Sequence, residues 1–431
     1  MKESLLQWIW QYQYFHYRDL QTVHGDSLQV LSPGQPNIHQ GPDFLDARIR
    51  IGNTCWAGTI ELHVAASDWK KHAHQKDKNY QNVILHVVWV NDTETPALSG
   101  EREVPTLVLE HRVSKWLLRQ YEAWMKSRDL VPCQQQLKEV DVKIWEDWKM
   151  RLTELRLQRK VSFIAADLKV NHQHWEETCW WLMAKTFGGP VNGAAFEMIA
   201  RSLSLATLAR LDEDQLEALL LGQAGLLDGV FRDEYPGKLQ KEFHHLRIKY
   251  ALPADPVPAH FLRMRPGNFP TIRLAQLARL LKRGSFWFSR CKEAGELGDL
   301  KELMEVTAAG YWDDHYIPDR PSARRVKRLG EGLKDSLLIN VFVPLLYAYG
   351  TLRNEPEVRK KAMSWLIALP AERNAVIERW KGLGVECRHA GDSQALLELK
   401  KHYCDQKNCL QCAVGKDILG HPPEQAGRQP A

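Results

Sequence analysis

Two acidic side chains and a histidine stand at spacings that could bring them together on paired strands. Asp43 follows Pro42, and Glu61 and His63 stand two positions apart further along the chain. Alternate strand residues share a face, and a turn centred on Asn53 would place Asp43 opposite His63 and position 45 opposite Glu61. Two such carboxylates suit Mg²⁺ or Mn²⁺, which can activate water beside a phosphate. The pattern predicts Asp43 and Glu61 as metal ligands, with catalytic roles for Asp43, Glu61 and His63.

The hydrophobic pattern predicts the elements that must position these residues. FLDARIRI and CWAGTIELHV flank Gly52-Asn53-Thr54 and predict a hairpin, because Asn and Gly tolerate the positive φ of tight turns. NVILHVVWV and PTLVLEHR predict further strands, and the first twenty or so residues have helical spacing. The polar segment from Ser67 to Gln81 is either a loop or a short helix that joins two strands.

This arrangement resembles the PD-(D/E)XK phosphodiesterase superfamily. The matching residues are Pro42-Asp43 at a strand start and Glu61-Leu62-His63 on the next strand. The resemblance implies a nuclease-like module that acts on nucleic-acid phosphodiesters. The superfamily has lysine where His63 stands, and the nearby groups that could substitute are Lys70, Lys71 and His86. A catalytically inactive nucleic-acid-binding or scaffold protein that kept the fold and lost the lysine is therefore the alternative.

The remaining histidines allow other interpretations. A His-x-His pair followed by an acid, here His72, His74 and Asp77, is how cupin-type barrels hold a transition metal, and a solvated loop is the alternative. His86 lies among strand residues, where an imidazole is either a hydrogen-bonded core group or a ligand.

Three cysteines cluster near the C-terminus. Cys404, Cys409 and Cys412 lie within HYCDQKNCLQCAVG, with lysines close by that favour thiolates. Three thiolates need a fourth ligand to bind Zn²⁺ or an iron–sulfur cluster. Cys133 is the candidate for that fourth ligand, with Cys387 as the alternative. The set is similar to the C-terminal clusters of base-excision glycosylases and of one branch of the PD-(D/E)XK nucleases, which adds one remote cysteine.

An arginine-rich segment precedes a predicted helix near position 270. Arg263, Arg265 and Arg273 flank the proline-containing stretch that leads into it. Guanidinium groups beside a helix N-terminus bind phosphate well, so these arginines are the predicted nucleic-acid-binding residues. Ion pairs with nearby carboxylates are the alternative.

Length and pattern predict an α+β protein. The expected parts are a nuclease-like mixed α/β module over 1–125, a mainly helical domain over 126–385, a cysteine cluster segment over 386–415 and a disordered tail over 416–431. The formal net charge of +5 excludes a polycation that coats nucleic acid indiscriminately, so any nucleic-acid surface must be local.

The chain carries no pattern that favours export or a membrane. Its start is aromatic and charged, with no small-residue cleavage site, and no segment is predicted to span a bilayer, because Asn340 and Pro344 interrupt the longest apolar run. Scattered cysteines without a signal peptide favour the cytoplasm. Nothing in the sequence identifies a protein partner.

Five segments together resemble the domain-of-unknown-function family numbered 2851 over nearly the whole chain. They are QGPDFLDARIRIGNTCWAGTIELHV, SDWKKHAH, NVILHVVWV, HFLRMRPGNFPTIRLAQLA and YCDQKNCLQCAVG. The resemblance implies a bacterial protein of that family's architecture, and it carries no activity.

Overall fold

The computed structural model describes residues 1–93, 103–253, 255–284 and 286–421. It divides into two compact units, of which one combines Met1–Trp148 with the segment from Leu399 onward, and the other is Lys149–Glu398. The cysteine-rich C-terminal segment therefore belongs to the same unit as the N-terminal strands. The part of the predicted tail beyond residue 421 lies outside the described residues.

The first unit contains a seven-stranded sheet with a few short helices. Its strands are β1 (Leu20–Gln21), β2 (Ser27–Ser32), β3 (Gln35–Pro36), β4 (Phe44–Ile51), β5 (Thr54–Ala65), β6 (Val83–Val90) and β7 (Thr106–Val108). Its helices are α1 (Glu3–Gln11), α2 (Asp68–Lys71), α3 (Lys115–Lys126) and α17 (Ala413–Gly420). The helix α17 extends into the segment expected to be a tail.

The sheet is mixed, with the order β1-β2-β4-β5-β6-β7 and β3 paired beside β4. The pairs from β1 to β5 are antiparallel, whereas β5, β6 and β7 run parallel. Strand β6 is buried on both faces, as its continuous run of valine, isoleucine and leucine requires. The long strand β5 is therefore central, and its polar side chains are enclosed by the structure around it.

The hairpin β4–β5 forms where the sequence predicts it, but its predicted register is wrong. Ile51 pairs with Thr54 and Ala47 with Gly58, and the register then shifts so that Phe44 pairs with Ile60. The shift coincides with Asp46, whose φ of 56° lies in the left-handed region and marks a bulge. The expected pairing of Asp43 with His63 is therefore displaced, and Asp43 lies beside Glu61 instead.

A short crossover joins the parallel strands β5 and β6. It consists of α2 followed by 3-10 turns at His74–Lys76 and Lys78–Tyr80, which resolves the undecided segment as helical turns. Parallel strands need a connection that passes over one face of the sheet. Glu61 pairs with His86 in the parallel register, so these side chains project to one face together with His63, two residues further on.

The second unit, Lys149–Glu398, is mainly helical. The unit begins within helix α4 (Val142–Val170) and ends within helix α16 (Ala390–Leu399). It also contains a two-stranded sheet formed by β8 (His315–Ile317) and β9 (Arg320–Pro321). The helices between them are α5 (Trp175–Arg201), α6 (Leu205–Leu208), α7 (Glu213–Gln223), α8 (Glu234–Lys249), α9 (Pro270–Arg283), α10 (Trp287–Glu293), α11 (Leu297–Leu303), α12 (Glu331–Leu337), α13 (Val343–Leu352), α14 (Pro356–Ala368) and α15 (Ala375–Gly382).

The apolar segment around α12 and α13 lies in the core of this unit. The helical stretch Glu331–Leu352 is long and apolar enough to cross a membrane by length and composition, and 67% of its most apolar window is buried within the protein. Core helices of globular proteins pass the same test. Burial of Leu337, Phe342 and Leu346 against neighbouring helices accounts for its composition.

The architecture confirms the coarse prediction of a mixed α+β protein with a strand-rich N-terminal part and a helical part. The nuclease-like character of the module stays a prediction.

Candidate functional site

Four ligand atoms converge at one point on the face of the sheet covered by the crossover. His63 Nε2 lies 3.1 Å from His72 Nδ1, 3.3 Å from His74 Nε2 and 3.5 Å from Glu61 Oε1. Glu61 Oε1 also lies 3.2 Å from His74 Nε2. Among the described residues, the three imidazoles form the one group whose ligand atoms all lie within 4.8 Å of one another. We call these four residues the histidine site.

The backbone between the two crossover histidines explains how both reach the site. Ala73 has φ of 60° and ψ of 27°, a left-handed conformation that is uncommon for a residue with a Cβ atom. This turn redirects the chain, so that His72 and His74 both approach His63. Such strain clusters at sites where the surrounding structure fixes it. Here the fixed result is the approach of two imidazoles to a third.

Aromatic side chains hold the buried half of the site. Tyr80 stacks on His74 with ring centroids 3.9 Å apart, and Trp69 contacts the edges of His63 and His74. Trp69 is 1% exposed and His63 is 1% exposed, whereas His72 is exposed. The histidine site is therefore packed on one side and open to solvent on the side of His72.

The two predicted carboxylates are neighbours, joined through backbone groups. The Asp43 N–H donates to Glu61 Oε2 at 3.1 Å, and the Leu62 N–H donates to Asp43 Oδ2 at 3.0 Å. Gln7 Nε2 donates to Asp43 Oδ1 at 2.8 Å. These bonds leave Glu61 Oε1 directed at the imidazoles. Burial, followed by the neighbouring Glu61 carboxylate, raises the pKa of Asp43 to about 7.

His86 lies behind His63, on the side away from the other ligand atoms. Its Nε2 is 2.9 Å from His63 Nδ1, and the His86 side chain is fully buried. Burial, followed by His74 and His72, lowers the pKa of His63 to about 3, and burial followed by His63 lowers that of His86 to about 3. Both rings are therefore neutral near pH 7, the form in which imidazole binds metals. If His63 Nδ1–H donates to His86, then His63 Nε2 carries a lone pair directed at the histidine site.

The separations match those between the ligands of a single metal ion. Zinc–nitrogen and zinc–oxygen bonds are about 2.0–2.2 Å long, so tetrahedral ligand atoms lie roughly 3.3–3.6 Å apart. The three separations that involve His63 Nε2, and that between Glu61 Oε1 and His74 Nε2, are 3.1–3.5 Å and are close to this value. A proton could bridge only one of these pairs, whereas a cation would use the lone pairs of the three imidazoles, and Glu61 Oε1 lies beside two of them. Three imidazoles and one carboxylate favour a transition metal over Mg²⁺.

Two residues of α1 belong to the surroundings of this site, and the sequence analysis missed both. Gln7 orients Asp43 through a hydrogen bond. Glu3 lies four residues earlier on the same helical face, close enough to Glu61 for the Glu61 carboxylate to affect the pKa of Glu3. Burial, followed by Glu61, raises the pKa of Glu3. The sequence did contain a signal for this role, since Glu3 and Gln7 are polar residues four positions apart on a helix whose Leu5 and Leu6 are buried.

Asp77, the acid proposed to follow the His-x-His pair, has a different role in the structure. Its Oδ1 accepts the Asn79 N–H at 2.9 Å and so caps the turn Lys78–Tyr80. The carboxylate that lies beside the two crossover histidines is Glu61 on β5.

The structure also brings together Cys133, Cys404, Cys409 and Cys412 within the first unit. Each of these thiols affects the protonation of the others. Cys387, the alternative fourth ligand, lies in the second unit near Asp392. The metal-binding role of the four cysteines stays a prediction at this point.

The predicted phosphate-binding arginines lie in the helical unit. The helix α9 begins at Pro270, as expected, and Arg263 and Arg265 are exposed before it. Arg273 NH1 donates to Gln276 Oε1 at 3.0 Å, and a second nitrogen donates to Asn268. Burial lowers the pKa of Arg273 to about 10. Arg273 therefore bonds to neutral amides, and the exposed pair is better placed for an external anion.

Comparison with families of known proteins matches residues 3–375 to a family described as protein of unknown function (DUF2851). No curated protein and no solved structure matches the chain.

Proposed function

The chain belongs to the DUF2851 family, whose description carries no activity, and from the geometry of its own residues we propose a metal-dependent, nuclease-like hydrolysis of phosphodiesters. The observation that carries the proposal is the convergence of the His63, His72 and His74 ligand atoms within 4.8 Å of one another, with Glu61 Oε1 3.2 Å from His74 Nε2 and 3.5 Å from His63 Nε2. These atoms would bind one divalent ion, with Zn²⁺ or Mn²⁺ preferred over Mg²⁺ because imidazole is a softer ligand than oxygen.

The ion would supply two kinds of assistance to hydrolysis, activation of water and stabilisation of negative charge on the phosphate. The protein residues have separate tasks around it. Glu61 and the three histidines would bind the ion. Asp43 positions Glu61 in two ways, because its backbone N–H donates to Glu61 Oε2 and its carboxylate accepts the N–H of the adjacent Leu62. Where the PD-(D/E)XK pattern has a lysine this chain has His63, which would bind the ion, so the metal would replace the missing ammonium as the cationic group.

Lysines near the site support an anionic substrate. Lys70, Lys71, Lys76 and Lys78 are all exposed on the crossover that carries His72 and His74. Lys71 is paired with Asp68, and the remaining three add positive charge to this crossover. Positive charge beside a metal concentrates phosphate-containing substrates. Nucleic acid is the polymer that such a local basic surface favours.

The proposal is tested by cleavage of labelled single- and double-stranded DNA and RNA. The full chain is stripped of metal and then supplied separately with Zn²⁺, Mn²⁺ or Mg²⁺. We expect cleavage with Zn²⁺ or Mn²⁺, and a loss of at least about 100-fold in Glu61→Gln, since a misplaced ion loses several kcal/mol of transition-state stabilisation. Asp43→Ala removes the side-chain acceptor for the Leu62 N–H and should cause a smaller loss through Glu61.

The matched control is His111→Ala, because His111 is in the same unit and its side chain is 90% exposed. This variant should cleave as the unchanged protein does. Cleavage that survives both carboxylate substitutions would overturn the proposed site. Metal-loaded protein that binds these polymers without cutting them would instead establish the binding-protein alternative.

A further inference from the structure

Four cysteines from distant parts of the chain meet in the first unit, separate from the histidine site. They are Cys133 before α4 and Cys404, Cys409 and Cys412 near the C-terminus. Three of them are 6–7% exposed and Cys404 is partly buried, and all four are free thiols. We call this group the four-cysteine site.

The thiols face one another. Each of the four acts electrostatically on the other three, which requires all the sulfur atoms to share one region. Cysteines that serve only as small apolar side chains have no reason to converge from both ends of a unit.

Hydrogen-bond donors surround one of these sulfur atoms. Cys412 precedes α17, and the backbone N–H groups of Val414 and Gly415 donate to its sulfur. Such donors stabilise a thiolate, and hydrogen bonds to sulfur are one of the means by which proteins tune iron–sulfur clusters.

The local backbone is fitted closely around the site. A Cβ atom at Gly415 would collide with the carbonyl oxygen of Cys409, so that only glycine allows α17 to begin beside this turn. Lys407, with φ of 53°, reverses the chain between Cys404 and Cys409, and its ammonium donates to the Met125 carbonyl oxygen. The three C-terminal cysteines are thereby presented on the inside of one compact loop.

The spacing of the sulfur atoms distinguishes between two kinds of metal centre. Zinc–sulfur bonds are about 2.3 Å long, so four thiolates on one zinc ion lie roughly 3.8 Å apart. In the part of the chain that the structure describes, no three of these sulfur atoms lie within 4.8 Å of one another. This wider spacing suits an inorganic core larger than one zinc ion, and iron–sulfur clusters are held by four cysteine thiolates.

We propose that Cys133, Cys404, Cys409 and Cys412 bind an iron–sulfur cluster that fastens the C-terminal segment to the N-terminal part of the first unit. On binding, each thiol releases its proton to the solvent and each sulfur bonds to one iron of a cluster supplied preassembled, or assembled from ferrous and ferric iron with sulfide. The cluster has a structural task in this proposal, and no electron transfer is required. It is independent of the proposed nuclease activity.

The test begins with the unchanged full chain, produced and purified without oxygen. We expect iron and acid-labile sulfide in equal molar amounts and a broad absorbance near ~400 nm, which colourless zinc lacks. Cys409→Ser and Cys412→Ser should each lower the iron content by at least about tenfold. Cys55→Ser is the matched control, because Cys55 is an exposed free thiol of the same unit.

Because a cysteine variant could lose iron simply by failing to fold, the metal content of the unchanged protein decides the question. Removal of its cluster by a chelator should abolish the absorbance and lower the unfolding temperature. One zinc per chain without iron, or no retained metal after supply of iron and sulfide, would overturn the proposal. The nuclease measurement cannot decide this question, because the histidine site does not share ligands with the four-cysteine site.

Discussion

The histidine site and the four-cysteine site lie in the same unit but are assembled in different ways. The histidine site takes its ligands from residues 61 to 74, on one strand and the crossover that follows it. The four-cysteine site joins position 133 to positions 404–412. The three imidazole ligand atoms of the first all lie within 4.8 Å of one another, whereas no three sulfur atoms of the second do so among the described residues.

The difference indicates two uses of metal. A short chain segment can direct several side chains at a single ion without holding distant segments together. This arrangement suits catalysis at a site that is open to solvent on one side. A group of thiols from both ends of a unit closes a long loop, and a bond across it restricts the unfolded chain. We expect loss of the first metal to affect activity and loss of the second to affect stability.

Removal of the central imidazole should have the largest effect on this comparison. His63→Ala deletes the ligand closest to the other three and should weaken Zn²⁺ or Mn²⁺ binding by at least about 100-fold, while the iron content is retained. Titration of metal-free protein by calorimetry measures the first, and elemental analysis the second. His111→Ala should change neither, and a variant that loses both metals would show that the sites depend on each other.

A methyl group added at Gly415 should disturb the four-cysteine site. Gly415→Ala forces the Cys409 carbonyl and the start of α17 apart, so we expect a loss of about 1–3 kcal/mol in the free energy of unfolding and a lower iron content. Gly237→Ala is the control, because that glycine lies in α8 with open space around it. Unchanged iron and stability in Gly415→Ala would contradict the close fit.

The left-handed residue between the crossover histidines permits a graded test. Ala73→Val places a branched side chain where φ is 60°, at a cost of about 1–2 kcal/mol, and should weaken metal binding about 5- to 30-fold. Ala73→Gly adopts this conformation readily and should bind metal as the unchanged protein does. Equal metal affinities in the unchanged protein and both variants would show that the left-handed turn at Ala73 does not position the metal ligands.

The smallest expected effect distinguishes a cap from a ligand. Asp77→Ala removes the acceptor for the Asn79 N–H and should cost about 1 kcal/mol of stability. Metal affinity should remain within about twofold, since Glu61 supplies the carboxylate at the site. Chemical unfolding and metal titration of the same sample measure both quantities. A large loss of affinity would return Asp77 to the ligand set.

Much of the first unit follows from local pattern. Alternating residues and Gly52-Asn53 predict the β4–β5 hairpin, and residues two apart place Glu61 and His63 on one face. The register could not be predicted, because the bulge at Asp46 depends on how β4 meets both β3 and β5. The contribution of Glu3 and Gln7 also escaped prediction, since α1 contacts the site only after the sheet has formed.

The types of ligand were determined by the sequence alone. Carboxylate, imidazole and thiol groups, with their spacing along the chain, specify which metals can be bound, because donor chemistry belongs to the side chain. Their grouping was decided by the tertiary structure. It selected Glu61 over Asp77 as the acid beside His74, and Cys133 over Cys387 as the neighbour of the C-terminal cysteines. Distance along the chain does not fix distance in space, and only the paired strands and packed helices set the separations that coordination requires.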